Sequence, residues 1–151
     1  MEFKKGIHSV LCATDFSEES DKAVEFAVSL LSLEKDVNLH LLHIVKPIFR
    51  AVGDVSYATD LLIEENETMI KDAKRKIELL ASEIRENGFS KVHGSVRGGD
   101  PVNGILYAIE EFKADLVIMG TRKHGFKKGI LLGSVSERVA ADSPVSVLIV
   151  R

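Results

Sequence analysis

Two stretches of the chain hold side chains suited to handling a phosphorylated ligand, and their characters are opposite. The first, Ala13, Thr14, Asp15, Phe16, Ser17, runs straight into Glu18 and Glu19. Crowded carboxylates repel phosphate, but a carboxylate accepts hydrogen bonds from ribose hydroxyls or an adenine amine. The second runs from Gly120 to Ser134 and contains four glycines together with Arg122, Lys123, His124, Lys127 and Lys128. Glycines allow close backbone approach, and free N–H groups at the positive end of a helix dipole complete an anion cradle. A glycine-rich loop before a serine-capped helix is also plain connection chemistry, so the physics of these residues leaves both readings open.

The remaining reactive groups do not assemble into a centre by their spacing. His40 and His43 are three apart on a strand and so point to opposite faces, which makes them poor co-ligands for one metal. His8 and His93 have no Cys, His or acidic neighbour at ligand spacing, and Ser134 and Ser136 have no local histidine to activate them. Cys12 lies in an apolar run and reads as a small buried side chain.

Five apolar runs read as the strands that would position these loops: Ile7 to Ala13, Val37 to Ile44, Lys91 to Arg97, Asp115 to Met119 and Val145 to Val150. Four helices separate them. Ser17 caps the first, whose Ala23, Val24, Ala27, Leu30 and Leu31 recur at helical spacing. The second places Ile63, Ile70, Ala73, Ile77, Leu80, Ala81 and Ile84 on one stripe, with Glu67 to Lys71 and Asp72 to Lys76 as pairs on its charged face and Gly88 at its end. The third opens at Asp100 with Pro101 in the first turn, where a missing N–H is tolerated, and Gly104 weakens it. The fourth starts near Ser134, where Ser134 and Glu137 have capping-box spacing, and stops before Pro144. The connection from Lys46 to about Asp60 is long enough for a movable cover, or is an ordinary surface connection.

Alternating strands and helices predict a single α/β domain over residues 1–151, a three-layer αβα sandwich around a five-stranded parallel sheet. Val92, Gly94 and Val96 alternate with polar residues, as on an edge strand, and the order 3-2-1-4-5 satisfies this. In that order the winding reverses between strands one and four, and ligands bind outside the carboxyl ends of such a pair. The fifth strand, Val145 to Val150, is then an apolar edge, which antiparallel pairing with a second copy would cover in a homodimer.

Composition narrows the partners. A formal charge of −3 offers no field for nucleic acid, and no apolar run reaches the ~18 residues of a membrane span. The start has no signal-type cleavage site and the one cysteine suits a reducing compartment, so the expected location is the cytoplasm.

The stretches ATDFSEES, LLHIV, DLVIMGTRKHGFKKGILLGSVSERV and SPVSVLIV, taken in order, resemble the universal stress proteins over the whole chain. ATP-binding members of that family carry glycine, two residues, glycine, nine residues, then glycine and a serine or threonine. Gly120 and the pair Gly133 and Ser134 match that spacing, whereas Lys123 stands at the second glycine. The resemblance implies a Rossmann-like fold of the adenine nucleotide alpha hydrolase type and a site for ATP, ADP or AMP. It places Ala13, Thr14 and Asp15 along the adenosine, the Ile44 backbone against adenine, Gly120 near the ribose, and Met119 among the nucleotide-binding residues. Arg122, Lys123, Gly133, Ser134, Val135 and Ser136 would face the phosphates, with Mg or Mn held through the phosphates themselves. Lys123 either fills the pocket or swings out to pair with a phosphate. Three functions follow: a homodimeric nucleotide-binding stress regulator read by another protein, a nucleotide-free interaction scaffold, or at most a slow ATP hydrolase. A Lys123→Gly substitution separates the first two, since binding that emerges only in the variant favours the scaffold.

Overall fold

A computed structural model describes residues 6–34, 36–48, 56–121 and 133–151, with 56–61 as backbone only. Its elements alternate as β1 (Ser9–Ala13), α1 (Glu18–Leu33), β2 (Asn38–Val45), α2 (Ser56–Glu86), β3 (Val92–Gly98), α3 (Pro101–Glu111), β4 (Leu116–Gly120), α4 (Ser134–Asp142) and β5 (Ser146–Val150). The strands form one sheet in the order β3-β2-β1-β4-β5, and all four pairings are parallel. The expected architecture and strand order are therefore present, with β3 and β5 at the edges.

The period of two along each strand builds two cores. Val10, Cys12, Leu39, Leu41, Val92 and Ile118 pack with α1 and α2, while Leu11, Leu42, Val117 and Met119 pack with α3 and α4. Leu11, Leu39, Leu41 and Leu42 are almost wholly removed from water, each contributing roughly 1.5–3 kcal/mol by burial. Both sheet faces are thus covered, and the strand ends are left to carry polar chemistry.

Two cap readings hold. Ser17 caps α1 and accepts from the Ser20 N–H, while the Ser20 hydroxyl accepts in return from the Ser17 N–H. Asp100 caps α3 through the Asn103 N–H at 2.9 Å.

Three readings need correction. The N-cap of α4 is Gly133, and Ser134 already lies inside the helix, so its pairing with Glu137 does not form. Helix α2 begins at Ser56, and Ile63 is 52% exposed instead of inward. With 31 residues the helix is about 46 Å long, against about 23 Å for the seven residues of β3, so its N-terminal half overhangs the sheet. There the inward stripe runs through Leu62, Asn66 and Ile70, one residue away from Ile63. Asn66 pins the strand exit by bonding both the N–H (2.9 Å) and the carbonyl (3.3 Å) of Ile48. Finally, among the described residues neither Glu67 with Lys71 nor Asp72 with Lys76 forms an ion pair, and the Lys76 ammonium lies 5.7 Å from the centre of the Phe16 ring.

No helix among the described residues is long and apolar enough to cross a membrane.

Candidate functional site

The carboxyl ends of β1, β2 and β4 and the N-termini of three helices surround a cleft of about 440 Å³. Ten of the twelve candidate residues line it: Ala13, Thr14 and Asp15 after β1, Ile44 on β2, Met119 and Gly120 on β4, and Gly133, Ser134, Val135 and Ser136 at α4. Arg122 and Lys123 lie outside the described residues, as do His124, Lys127, Lys128 and the middle of the connection after Lys46. The winding reverses between β1 and β4, so the cleft sits at the topological switch point.

The acidic side of the cleft is a tightly bonded turn. Thr14 donates its N–H to the Leu42 carbonyl at 2.9 Å, and its carbonyl accepts from His43 Nδ1 at 2.8 Å. Its hydroxyl oxygen meets Ser20 Oγ at 3.0 Å and accepts the Phe16 N–H at 3.0 Å. Thr14 is only 4% exposed, and its polar groups hold the turn together. Asp15 lines the cleft half-buried. One of its carboxylate oxygens accepts from both the N–H and the hydroxyl of Ser17. Phe16 adopts φ +60, a left-handed conformation that costs a non-glycine residue on the order of 1–3 kcal/mol and persists only where neighbours enforce it.

The opposite side is the start of α4. The N-cap Gly133 has no side chain to cap this helix, and the first amides of any helix have no intrahelical acceptor, so among the described residues the start of α4 brings the Ser134, Val135 and Ser136 amides to the cleft wall uncapped. The Gly133 N–H is the exception, because it donates to Thr121 Oγ1 at 3.1 Å. The buried Ser136 hydroxyl donates to the Gly133 carbonyl at 2.9 Å, which leaves Ser134 as the exposed hydroxyl. An uncapped N-terminus with a positive dipole end attracts an anion.

Between the two sides lie Ala13, Ile44, Ile105, Val135 and Met119, an apolar lining suited to a flat ring. Gly120 has a structural reason beyond ligand approach. A Cβ there would stand 2.3 Å from the Glu19 carbonyl oxygen, so the glycine lets β4 pass under the first turn of α1. Sequence reasoning missed Lys46, Ser20, Pro101 and Ile105 as lining residues, and Thr121 as the anchor of Gly133. Lys46 directly follows the last residue of β2, and its place at a carboxyl strand end was the available signal. No group of three or more metal-ligating side chains occurs among the described residues.

Comparison with known proteins gives one consistent answer. The universal stress protein family model matches residues 6–151. Two universal stress proteins of Methanocaldococcus jannaschii are similar along nearly the whole chain. One is 32% identical over 146 residues, covering 94% of this chain and 81% of its own. The other is 31% identical over 154 residues, covering 94% and 93%. A solved structure of the second has a TM-score of 0.78 at 29% identity over 95% of each chain. A universal stress protein solved in complex with cAMP has a TM-score of 0.68 at 26% identity, covering 96% of this chain and 97% of that one. With the sheet order, the cleft and these matches together, the chain belongs to the universal stress protein family.

Proposed function

We propose that the cleft binds an adenine nucleotide, with ATP, ADP or AMP as the candidates, and that another protein reads the bound state in a stress response. The observation that carries this reading is the convergence of an acidic turn and an uncapped helix N-terminus on one cleft at the β1/β4 switch point. Adenine would lie on Ile44 and Met119, and Asp15 would accept from the ribose hydroxyls. The amides of Ser134, Val135 and Ser136, with Arg122 and Lys123 of the preceding loop, would meet the phosphates. Mg or Mn would be carried on the phosphates. The relative solved with cAMP supports the adenine class. Binding with slow or no turnover is the activity proposed, in the cytoplasm, from a single domain.

The assembly proposed is a homodimer through the C-terminal strand Val145 to Val150. Ser146–Val150 is a sheet edge without a charged side chain, and its apolar residues are only half-buried. The other edge, β3, carries His93 and Arg97, side chains that discourage edge pairing. Sedimentation should give twice the mass of one chain, and a monomer at micromolar concentration would dismiss the dimer. For the ligand, the purified protein is denatured and the released small molecules are weighed. An adenine nucleotide supports the reading, and another phosphorylated compound at full occupancy overturns it.

A further inference from the structure

The LLHIV stretch of β2 contains a histidine that does not line the cleft yet touches the turn that does. We propose that His43 is a positioning residue for the nucleotide, locking the Thr14 to Ser17 turn so that Asp15 is presented at a fixed height; this rests on the adenine-nucleotide reading above.

Two contacts converge on the imidazole. Nδ1 lies 2.8 Å from the Thr14 carbonyl oxygen, and a carbonyl can only accept, so Nδ1 carries a proton and donates. The ring also packs on Phe16, with centroids 4.6 Å apart and planes tilted by 39°. These contacts bracket Asp15, one residue on either side. The Phe16 backbone is left-handed, a conformation that reverts unless surrounding contacts over-determine it. Among those contacts, the Phe16 N–H on Thr14 Oγ1 is local to the turn, the Lys76 ammonium lies beside the ring from α2, and the ring packs on the core beneath α1 and α2. From the sheet, His43 reaches Thr14 by a hydrogen bond and Phe16 by a ring contact, and so ties both flanks of Asp15 to β2. Loss of its donor would orphan a part-buried carbonyl and loosen the turn, while β1 and β2 stay paired through their own ladder.

Two substitutions separate positioning from packing. His43→Phe keeps a ring against Phe16 and removes the donor, whereas His43→Asn keeps an N–H donor near the place of Nδ1 and removes the ring. Adenosine, AMP and ATP are titrated into each, and amide exchange is followed at Phe16, Ser17, Leu11 and Cys12. Positioning predicts that His43→Phe weakens all three ligands by one common factor of about ten, the size of one lost hydrogen bond. Exchange at Phe16 and Ser17 should rise by a similar factor with Leu11 and Cys12 unchanged, and His43→Asn should stay within about threefold of the unaltered chain. Unchanged binding in His43→Phe, or His43→Asn falling below it, overturns the proposal alone. An unaltered chain that binds none of the three overturns the cleft reading as well.

Discussion

Gly120→Ala tests the packing that sets the geometry of the cleft. Gly120 is not in the left-handed region, so its backbone tolerates a side chain and only space opposes one. The added Cβ would stand 2.3 Å from the Glu19 carbonyl oxygen, 2.6 Å from its carbon and 3.0 Å from the Ser20 nitrogen, all backbone atoms of α1. Contact distances near 3.5 Å require β4 and α1 to separate locally by about 1 Å, since no rotamer change can relieve a backbone clash. Overpacking of this kind costs about 1–3 kcal/mol. In a chain of this size each kcal/mol moves Tm by roughly 2–4 °C, so a cost near ~3 kcal/mol lowers Tm by about 6–12 °C. Gly104→Ala is the matched control. There the new Cβ would meet Ile44 Cδ1 at 2.6 Å, the mobile end of a side chain, and alanine recovers about 1 kcal/mol of helix propensity. Thermal unfolding by circular dichroism should separate the two variants clearly. A Gly120→Ala protein melting within about 2 °C of the unaltered chain, or above Gly104→Ala, would refute the close-approach argument. Because the first turn of α1 also lines the cleft through Ser17, Glu19 and Ser20, the same variant should bind ATP less tightly.

Two further outcomes follow from titrating groups. Burial pushes the Cys12 thiol up to about 12, so a thiol reagent at pH 8 should leave the folded protein unmodified and label it once on unfolding; fast labelling of the folded protein would contradict this. His40 stacks on Phe112 at 4.4 Å and on His93 at 5.3 Å, and burial first, then the charge of His93, holds its pKa below 6.5. The unfolded chain therefore takes up a proton near pH 6.5 that the folded one refuses until lower pH, so stability falls as pH drops below 6.5. Denaturation midpoints at pH 7.5 and 5.5 should differ less in His40→Phe than in the unaltered chain, and equal differences would refute the assignment.

The sheet was legible because its signals are local and consistent: five apolar runs separated by helical stretches, and polar alternation along the strand that becomes edge β3. The site was legible in outline because the switch-point rule converts strand order into a place. Features that depend on three-dimensional lengths and competing bonds were not legible. Ile63 has helical spacing with Ile70, but the covered stripe in that half of α2 passes through Leu62 and Asn66 instead, a shift of one residue that spacing alone does not show. Ser134 has capping-box spacing, yet Gly133 takes the cap position and is anchored by Thr121, a long-range bond that no spacing rule reveals. The resemblance placed Thr14 along the adenosine, and only the structure shows its bonds to Leu42, His43, Ser20 and Phe16 within the turn. The same holds for Gly120, whose motif position hides a helix contact.

The most direct measurement is a calorimetric titration of ATP, adenosine and inorganic tripolyphosphate into the unaltered chain and Asp15→Ala. If two chemically opposite halves of one cleft share a nucleotide, ATP binds more tightly than either fragment. Asp15→Ala then weakens adenosine and ATP alike by about tenfold and leaves tripolyphosphate unchanged. Tripolyphosphate binding as tightly as ATP, or ATP binding indifferent to Asp15→Ala, would contradict the account.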